Sequence, residues 1–220
     1  MSTLLEVKNL SIKSPDKTII SDLSFQVNEG DFVSIKGPSG SGKSTLLRQI
    51  AYLNSDVLTQ EGQILYKGKA TDQYPPIELR QEISYCFQTA QLFGQTVWDN
   101  LSFPYHIRKQ EVDQKKITLY MKELNLPENY LQQEIGNLSG GEKQRIALIR
   151  NLLFTPKIIL LDEVTSALDE ESRKILWTWL TDHIQKEEIT TLLISHLERD
   201  HQFANQTVEI KMDHENKEEV

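Results

Sequence analysis

The chain has 220 residues, 38% of them hydrophobic and 25% charged, and a formal net charge of −8 at pH 7. That length fits one domain, or a core with an added lobe, around a substantial apolar interior, and the acidic balance argues against broad electrostatic attachment to nucleic acid or anionic lipid. Apolar runs such as Ile158–Leu161 and Thr191–Ile194 fall far short of the ~18–20 residues that cross a bilayer, so any membrane association is expected to go through a protein partner.

The opening MSTLLEVKNL has no basic head followed by an apolar stretch, so it does not read as a signal peptide and the chain is expected in the cytoplasm. Leu4–Leu10, Ser24–Asn28 and Asp31–Lys36 read as strands, with turn signals at Ser14–Asp16 and Asn28–Gly30. Between the last of these strands and the helical spacing of Thr45–Ala51 stands GPSGSGKST: Gly37, Pro38, Ser39, Gly40, Ser41, Gly42, Lys43, Ser44 and Thr45. Glycines there let backbone N–H groups converge on phosphate oxygens, and the following helix adds the positive end of its dipole. Lys43 is expected to reach the β- and γ-phosphates, and the Ser44 hydroxyl to ligate Mg2+.

Farther on, Gly62–Tyr66 and Ile83–Phe87 read as a strand pair separated by the turn-rich KGKATDQYPP. Cys86 is the single cysteine, which excludes an intrachain disulfide and any cysteine-cluster metal site, and reads as a buried thiol. From Val97 to Phe154 the pattern turns helical, with breaks expected at Pro104, Pro127 and Gly136–Gly141. Just before it, Leu92, Phe93, Val97 and Trp98 have two readings: pins between lobe and core, or the apolar floor of a groove that receives a short helix of a membrane partner. Strand and helix then alternate through Lys157–Leu161, Glu170–Gln185 and Ile189–Ser195, which with the earlier elements predicts an α/β core carrying a helical lobe. The charged Asp213–Val220 is expected to fray.

Two further stretches carry chemistry. Ile158–Glu163, IILLDE, is an apolar strand ending in adjacent carboxylates, which are costly to place there unless a cation or a reaction uses them. In proteins with this phosphate loop the aspartate ending the neighbouring strand helps hold Mg2+, a role that falls to Asp162. Glu163, one residue farther out, is then the candidate to polarise the attacking water. Leu138–Glu142, LSGGE, opens a helix expected over Lys143–Leu153. By itself it is either an ordinary Ser-capped helix start or an anion clamp offered to another subunit's nucleotide.

Taken together and in this order, the phosphate loop, Gln88, LSGGEKQR, IILLDE, SALD at Ser166–Asp169 and His196 resemble the nucleotide-binding subunits of ABC transporters over nearly the whole chain. The resemblance implies a P-loop NTPase (RecA-like) core with an N-terminal antiparallel β-subdomain and a helical signature-motif lobe. It implies a second copy of the chain in a head-to-tail dimer, with each ATP between one phosphate loop and the partner's Ser139, Gly140, Gly141 and Glu142. Gln88 corresponds to the glutamine that touches Mg2+ and the attacking water and links the site to the membrane subunit. Asp169 corresponds to the residue facing the opposite site, and His196 to the histidine on the γ-phosphate. The expected catalytic residues are therefore Glu163, His196 and Gln88, and the Mg2+ residues Ser44, Gln88 and Asp162.

Ser84–Pro104 (SYCFQTAQLFGQTVWDNLSFP), Glu78–Tyr85 and the stretch from LSGGEKQR to SALDEES are similar to the ATPase subunits of bacterial iron-export, Fet-type systems. One departure stands out: the family usually stacks an aromatic residue on adenine in the loop after the first strand, where this chain has Ser11-Ile12-Lys13-Ser14. Apolar contact from Ile12 is expected in its place. The resulting expectation is a single ABC ATPase domain over 1–220, with its core at about 1–87 and 157–212, its helical lobe at about 88–156 and a tail at 213–220. It would sit in the cytoplasm, on the inner face of the membrane through a separate permease, powering export of iron or another metal ion. The rivals are an importer ATPase for amino acids or other small solutes and a non-transport ABC ATPase acting on DNA or ribosomes. The latter would need a long coiled-coil insertion or a second ATPase domain that 220 residues do not hold.

Overall fold

The structure, a computed structural model, describes residues 2–53, 55–166 and 168–211; the expectation for 213–220 lies outside them. The chain divides into two compact units, one running to Tyr85 and taking in Lys157–Asp162 and the chain from Ile189, the other made of Cys86–Pro156 and Glu163–Glu188.

The first unit contains two sheets. Strands β1 (Thr3–Lys13), β2 (Thr18–Asn28), β4 (Thr59–Tyr66) and β5 (Lys69–Ala70) form a four-stranded sheet in the order β2-β1-β4-β5, its neighbours antiparallel. Leu5, Val7, Leu10 and Ile12 of β1 are all buried, yet their spacing breaks strict alternation between Val7 and Leu10. The pairing register shifts there, Asn9 adopts φ +45°, and its N–H donates to the Ser24 hydroxyl. This bulge returns the apolar residues to the core face after the slip. Opposite it lies Gly62 at φ +81°, where a Cβ would come within 2.3 Å of the Asn9 carbonyl oxygen.

The second sheet has the order β6-β7-β8-β3-β9, from β3 (Phe32–Lys36), β6 (Ile83–Cys86), β7 (Ile158–Asp162), β8 (Thr190–Ile194) and β9 (Gln206–Glu209). Strand β3 runs parallel to both β8 and β9, and β7 runs parallel to β8. Every residue of β7 and of β8 is buried, which is why Ile158–Leu161 and Leu192–Ile194 within them read as continuous apolar stretches rather than alternating ones. Helix α1 (Lys43–Ile50) follows β3, and the short α2 (Pro76–Glu82) precedes β6. The expected pair Gly62–Tyr66 and Ile83–Phe87 does not form: the first pairs with β1, and the second ends at Cys86 as a neighbour of β7. Strand propensity at a single stretch says nothing about its partner, and a wholly buried β7 needs cover on both edges.

The second unit is helical: α3 (Val97–Ile107), α4 (Gln114–Glu123), α5 (Gly140–Leu152) and α6 (Glu170–Lys186). Pro104 lies inside α3 instead of ending it. Its missing N–H is outweighed by anchorage at the start of the helix, where Thr96 and Asp99 make a reciprocal capping box. The fully buried Asn100 adds to that anchorage: its amide donates to the carbonyls of Phe93 and Thr96, and its oxygen accepts from the Phe93 N–H and from Arg150. Cys86 is buried as expected; burial pushes its thiol up to about 12, and Asn151 donates to its sulfur at 3.1 Å.

Candidate functional site

In the first unit, the turn Gly37–Gly42 leaves the end of β3 and enters α1, as the strand-loop-helix reading requires. Gly42 has φ +92°, and a Cβ there would meet Ile19 Cγ2 at 2.6 Å, so the entry to α1 depends on glycine. The helix start is built without a plug. Gly42 offers no side-chain cap, and no acidic residue stands in the first turn. Its leading N–H groups are therefore left for an anion. Ser41 is buried, and its hydroxyl finds no hydrogen-bond partner among the described residues. The Lys43 ammonium, also buried, curls back to donate to the carbonyls of Gly37 and Pro38 at 2.9 and 2.8 Å. An orphaned hydroxyl, an uncapped helix and a lysine folded over the loop together make a cradle whose donors match phosphate oxygens.

The other polar groups of this unit stand at the same carboxyl ends of the parallel strands. Asp162, the last residue of β7, is 3% exposed; its Oδ1 accepts from the Ser44 hydroxyl at 2.8 Å and its Oδ2 from the Tyr85 hydroxyl at 2.5 Å. Burial, then the adjacent carboxylate, raise the pKa of Tyr85, which keeps it a proton donor. Beyond β8, the exposed His196 sits on a loop held from beneath. The Ser195 hydroxyl donates to Asp200 at 2.5 Å and accepts from the Leu197 N–H, while His201 joins the Ser195 carbonyl to Ser34 of β3. A carbonyl only accepts, so His201 Nε2 is the donor in that link.

The base-side expectation needs correction. Ile12 is fully buried against β2, in register with Ile20, and has no face to offer a base. Ser14 is closed into a turn with Lys17. The apolar side chain at the α1 entry is instead the half-buried Ile19.

In the second unit, Gln88 Nε2 donates to Glu163 Oε2 at 2.7 Å. Glu163 holds φ +50°, a left-handed conformation uncommon outside glycine and typical of sites where surrounding structure imposes geometry. The segment leading to Gln88 is tied to α5, whose buried Gln144 donates to the Phe87 carbonyl at 3.0 Å. At the start of α5, Ser139 accepts from the Glu142 N–H, and Glu142 accepts from the Ser139 N–H at 2.8 Å. Desolvation works to raise the Glu142 pKa, but the hydrogen bonds from Ser139 and Tyr130 and the charge of Arg145 hold it below the ordinary carboxylate value. Gly140 is open, whereas a Cβ on Gly141 would lie 3.3 Å from Leu168. Asp169 caps α6 by accepting from the Ser172 N–H, which lowers its pKa.

In the apolar cluster, Val97 is fully buried and has no face to offer a partner. Phe93 is 40% exposed, edge-on to the 43% exposed Phe103 with centroids 4.8 Å apart, and Arg150 lies over its ring. Sequence reasoning missed Tyr85 on the Asp162 carboxylate and the Ser34–His201–Ser195–Asp200 support under His196. A tyrosine at a buried strand position three residues before Gln88 was the available signal for the first. The second had none, because it joins residues from distant strands.

Residues 20–166 match the family model described as ABC transporter. The chain belongs to the ABC transporter family. This ABC protein is 42% identical over 195 residues to the "Probable iron export ATP-binding protein FetA" of Escherichia coli K12, covering 89% of the chain and 85% of that relative. It is 39% identical over 202 residues to the sulfate/thiosulfate import ATP-binding protein CysA of Mesostigma viride, spanning 89% of the chain and 55% of that longer protein. Among solved structures, the fold matches the dimeric post-hydrolysis state of the ATP-binding cassette MJ0796 bound to ADP and Pi, with a TM-score of 0.82, 27% identity and 94% of each chain covered. The ABC chain is an ATP-binding subunit that hydrolyses ATP in transport. No helix among its described residues is long and apolar enough to cross a membrane.

Proposed function

We propose that this ATPase works as a head-to-tail pair on a separate membrane permease and powers the export of iron or another metal ion. The observation that carries the direction and cargo is the 42% identity, over most of both chains, to an ATP-binding protein named for iron export. In this reading Gly37–Thr45 bind the phosphates of ATP, with Lys43 leaving the Gly37 and Pro38 carbonyls for the β- and γ-phosphates. Ser44 and Asp162 would hold Mg2+, and they suit it: a hydroxyl and a carboxylate already within 2.8 Å of each other are hard oxygen donors of the kind that ion takes alongside phosphate oxygens and water. When bound, the ion neutralises charge on the transferring phosphoryl group. Glu163, held by Gln88, takes the proton of the attacking water. His196 contacts the γ-phosphate. Ser139, Gly140, Gly141 and Glu142 close on the partner's nucleotide, and Asp169 faces the opposite site. The helical lobe of about 88–156 receives the permease at the exposed Phe93–Phe103 pair, which places the chain on the inner face of the cell membrane.

A second reading, an importer ATPase for small solutes, draws support from the 39% identity to CysA and the 34% identity to the spermidine/putrescine import ATP-binding protein PotA of Bacteroides thetaiotaomicron. One experiment separates the two. Cells lacking the gene are complemented with wild type or Glu163→Gln, and their metal content and solute uptake are measured. Export predicts that wild type lowers cell iron or another metal under metal load. It also predicts that Glu163→Gln, whose hydrolysis falls by about 10²-fold or more with ATP binding intact, does not. Restored uptake of a solute with unchanged metal content overturns the export reading, and hydrolysis at the wild-type rate by the Gln variant overturns the role of Glu163.

A further inference from the structure

We infer that Tyr85 is a positioning residue for the metal carboxylate, setting the Mg2+ requirement of nucleotide binding by fixing which Asp162 oxygen faces Ser44. This inference rests on the proposed role of Ser44 and Asp162 in holding Mg2+.

The carboxylate of Asp162 is almost wholly buried and shared between two hydroxyl donors, one on each oxygen, Ser44 at 2.8 Å and Tyr85 at 2.5 Å. These donors differ in kind. Ser44 is on α1, the helix that meets the nucleotide, and its hydroxyl must turn its lone pairs to any metal it ligates. Tyr85 is on β6, is 7% exposed, and has an aromatic ring packed into the core, so its hydroxyl position is set by the sheet. A third group completes the line: the Arg48 guanidinium, one turn beyond Ser44 on α1, hydrogen-bonds the Tyr85 hydroxyl. Arginine has donors only and a carboxylate acceptors only, so the direction is unambiguous: Arg48 donates to Tyr85, and Tyr85 donates to Asp162. The chain of donors polarises toward the carboxylate and pins Oδ2, leaving Oδ1 as the oxygen presented at the phosphate loop. Without the tyrosine hydroxyl, a buried carboxylate loses a charge-assisted bond and is free to rotate about its Cβ–Cγ axis. Partners that orient a metal-binding carboxylate in this way typically change metal affinity by 10–100-fold when removed.

The test measures binding of a fluorescent ATP analogue to the purified full chain, first with EDTA and then across a Mg2+ titration, for wild type, Tyr85→Phe, Arg48→Met and Asp162→Asn. Tyr85→Phe is expected to bind the analogue like wild type in EDTA and to need at least tenfold more Mg2+ for the metal-dependent gain. Arg48→Met, which keeps the tyrosine, is expected to move the Mg2+ midpoint the same way by a smaller factor, and it stands as the readout should Tyr85→Phe fail to fold. If Asp162→Asn shifts the midpoint while Tyr85→Phe and Arg48→Met both leave it within twofold of wild type, the positioning role is overturned and the Mg2+ assignment survives. If Asp162→Asn leaves the midpoint unchanged, the Mg2+ reading itself is overturned, and this inference with it.

Discussion

The start of α1 and the start of α5 are both glycine-rich helix entries that family resemblance assigns to phosphate, yet they are built on opposite plans. At α1 the leading N–H groups have no side-chain cap, the Ser41 hydroxyl is orphaned, and the lysine rests on loop carbonyls. At α5, Ser139 and Glu142 satisfy each other's backbone in a closed capping box, and α3 and α6 are capped by Thr96 with Asp99 and by Asp169. An anion can enter the first site by filling vacant donors. At the second it must compete with a carboxylate already in place. On the proposed reading, the uncapped loop at α1 would supply the intrinsic nucleotide affinity, while the capped start of α5 would act as a conditional contact, engaged once a second copy brings phosphate to it.

The sharpest break of this contrast comes from mixing variants. Lys43→Ala should abolish nucleotide-dependent hydrolysis. Gly141→Asp, which adds a carboxylate where even a Cβ would sit 3.3 Å from Leu168, should abolish it too while leaving ATP binding intact. Mixed, the two chains are expected to regain a measurable fraction of wild-type hydrolysis, because one heterodimer arrangement contains an intact loop facing an intact α5 start. Full activity from Gly141→Asp alone would refute the conditional contact.

A milder perturbation is Ser139→Ala, which removes the cap at a cost of about 1 kcal/mol in unfolding free energy, read by urea denaturation. If α5 also serves a partner's nucleotide, hydrolysis should fall by more than that loss of stability explains, with ATP affinity of the single chain unchanged. A variant that is destabilised by about 1 kcal/mol yet hydrolyses normally would reduce α5 to an ordinary capped helix. The smallest effect concerns the base. With Ile12 buried, Ser14 closed in a turn and Ile19 the apolar side chain at the α1 entry, competition binding should show ATP preferred over GTP by less than about tenfold, or ~1.4 kcal/mol. A hundredfold preference would mean that an aromatic elsewhere reaches adenine.

The α1 region was the more legible of the two in the sequence. Its chemistry is carried by contiguous residues, Gly37–Thr45, whose order alone dictates the turn, and the buried β7 announces itself as an apolar run ending at Asp162. What the sequence hid were relations across the fold. The partner of β4 depended on a bulge at Asn9 that shifts register within β1. Pro104 looked like a helix end because the anchoring of α3 by Asn100 lies in side-chain bonds that spacing does not reveal. Ile12 looked available to a base because a one-residue slip decides which face of a strand a side chain takes. LSGGE left cap and clamp equally open, and the capping box now seen at Ser139 and Glu142 fulfils the first without excluding the second.

Asn100 carries a mechanical consequence. One fully buried amide grips both backbone groups of Phe93, the Thr96 carbonyl and the Arg150 guanidinium of α5. A push on the exposed aromatic pair is therefore not absorbed by loop deformation, since yielding there would strand several buried polar groups at once. Shifting α3, the Phe93 loop and α5 together keeps those bonds, so the four hydrogen bonds of Asn100 favour their movement as one piece. Softness, where this lobe has any, must lie outside the stretch that Asn100 clamps.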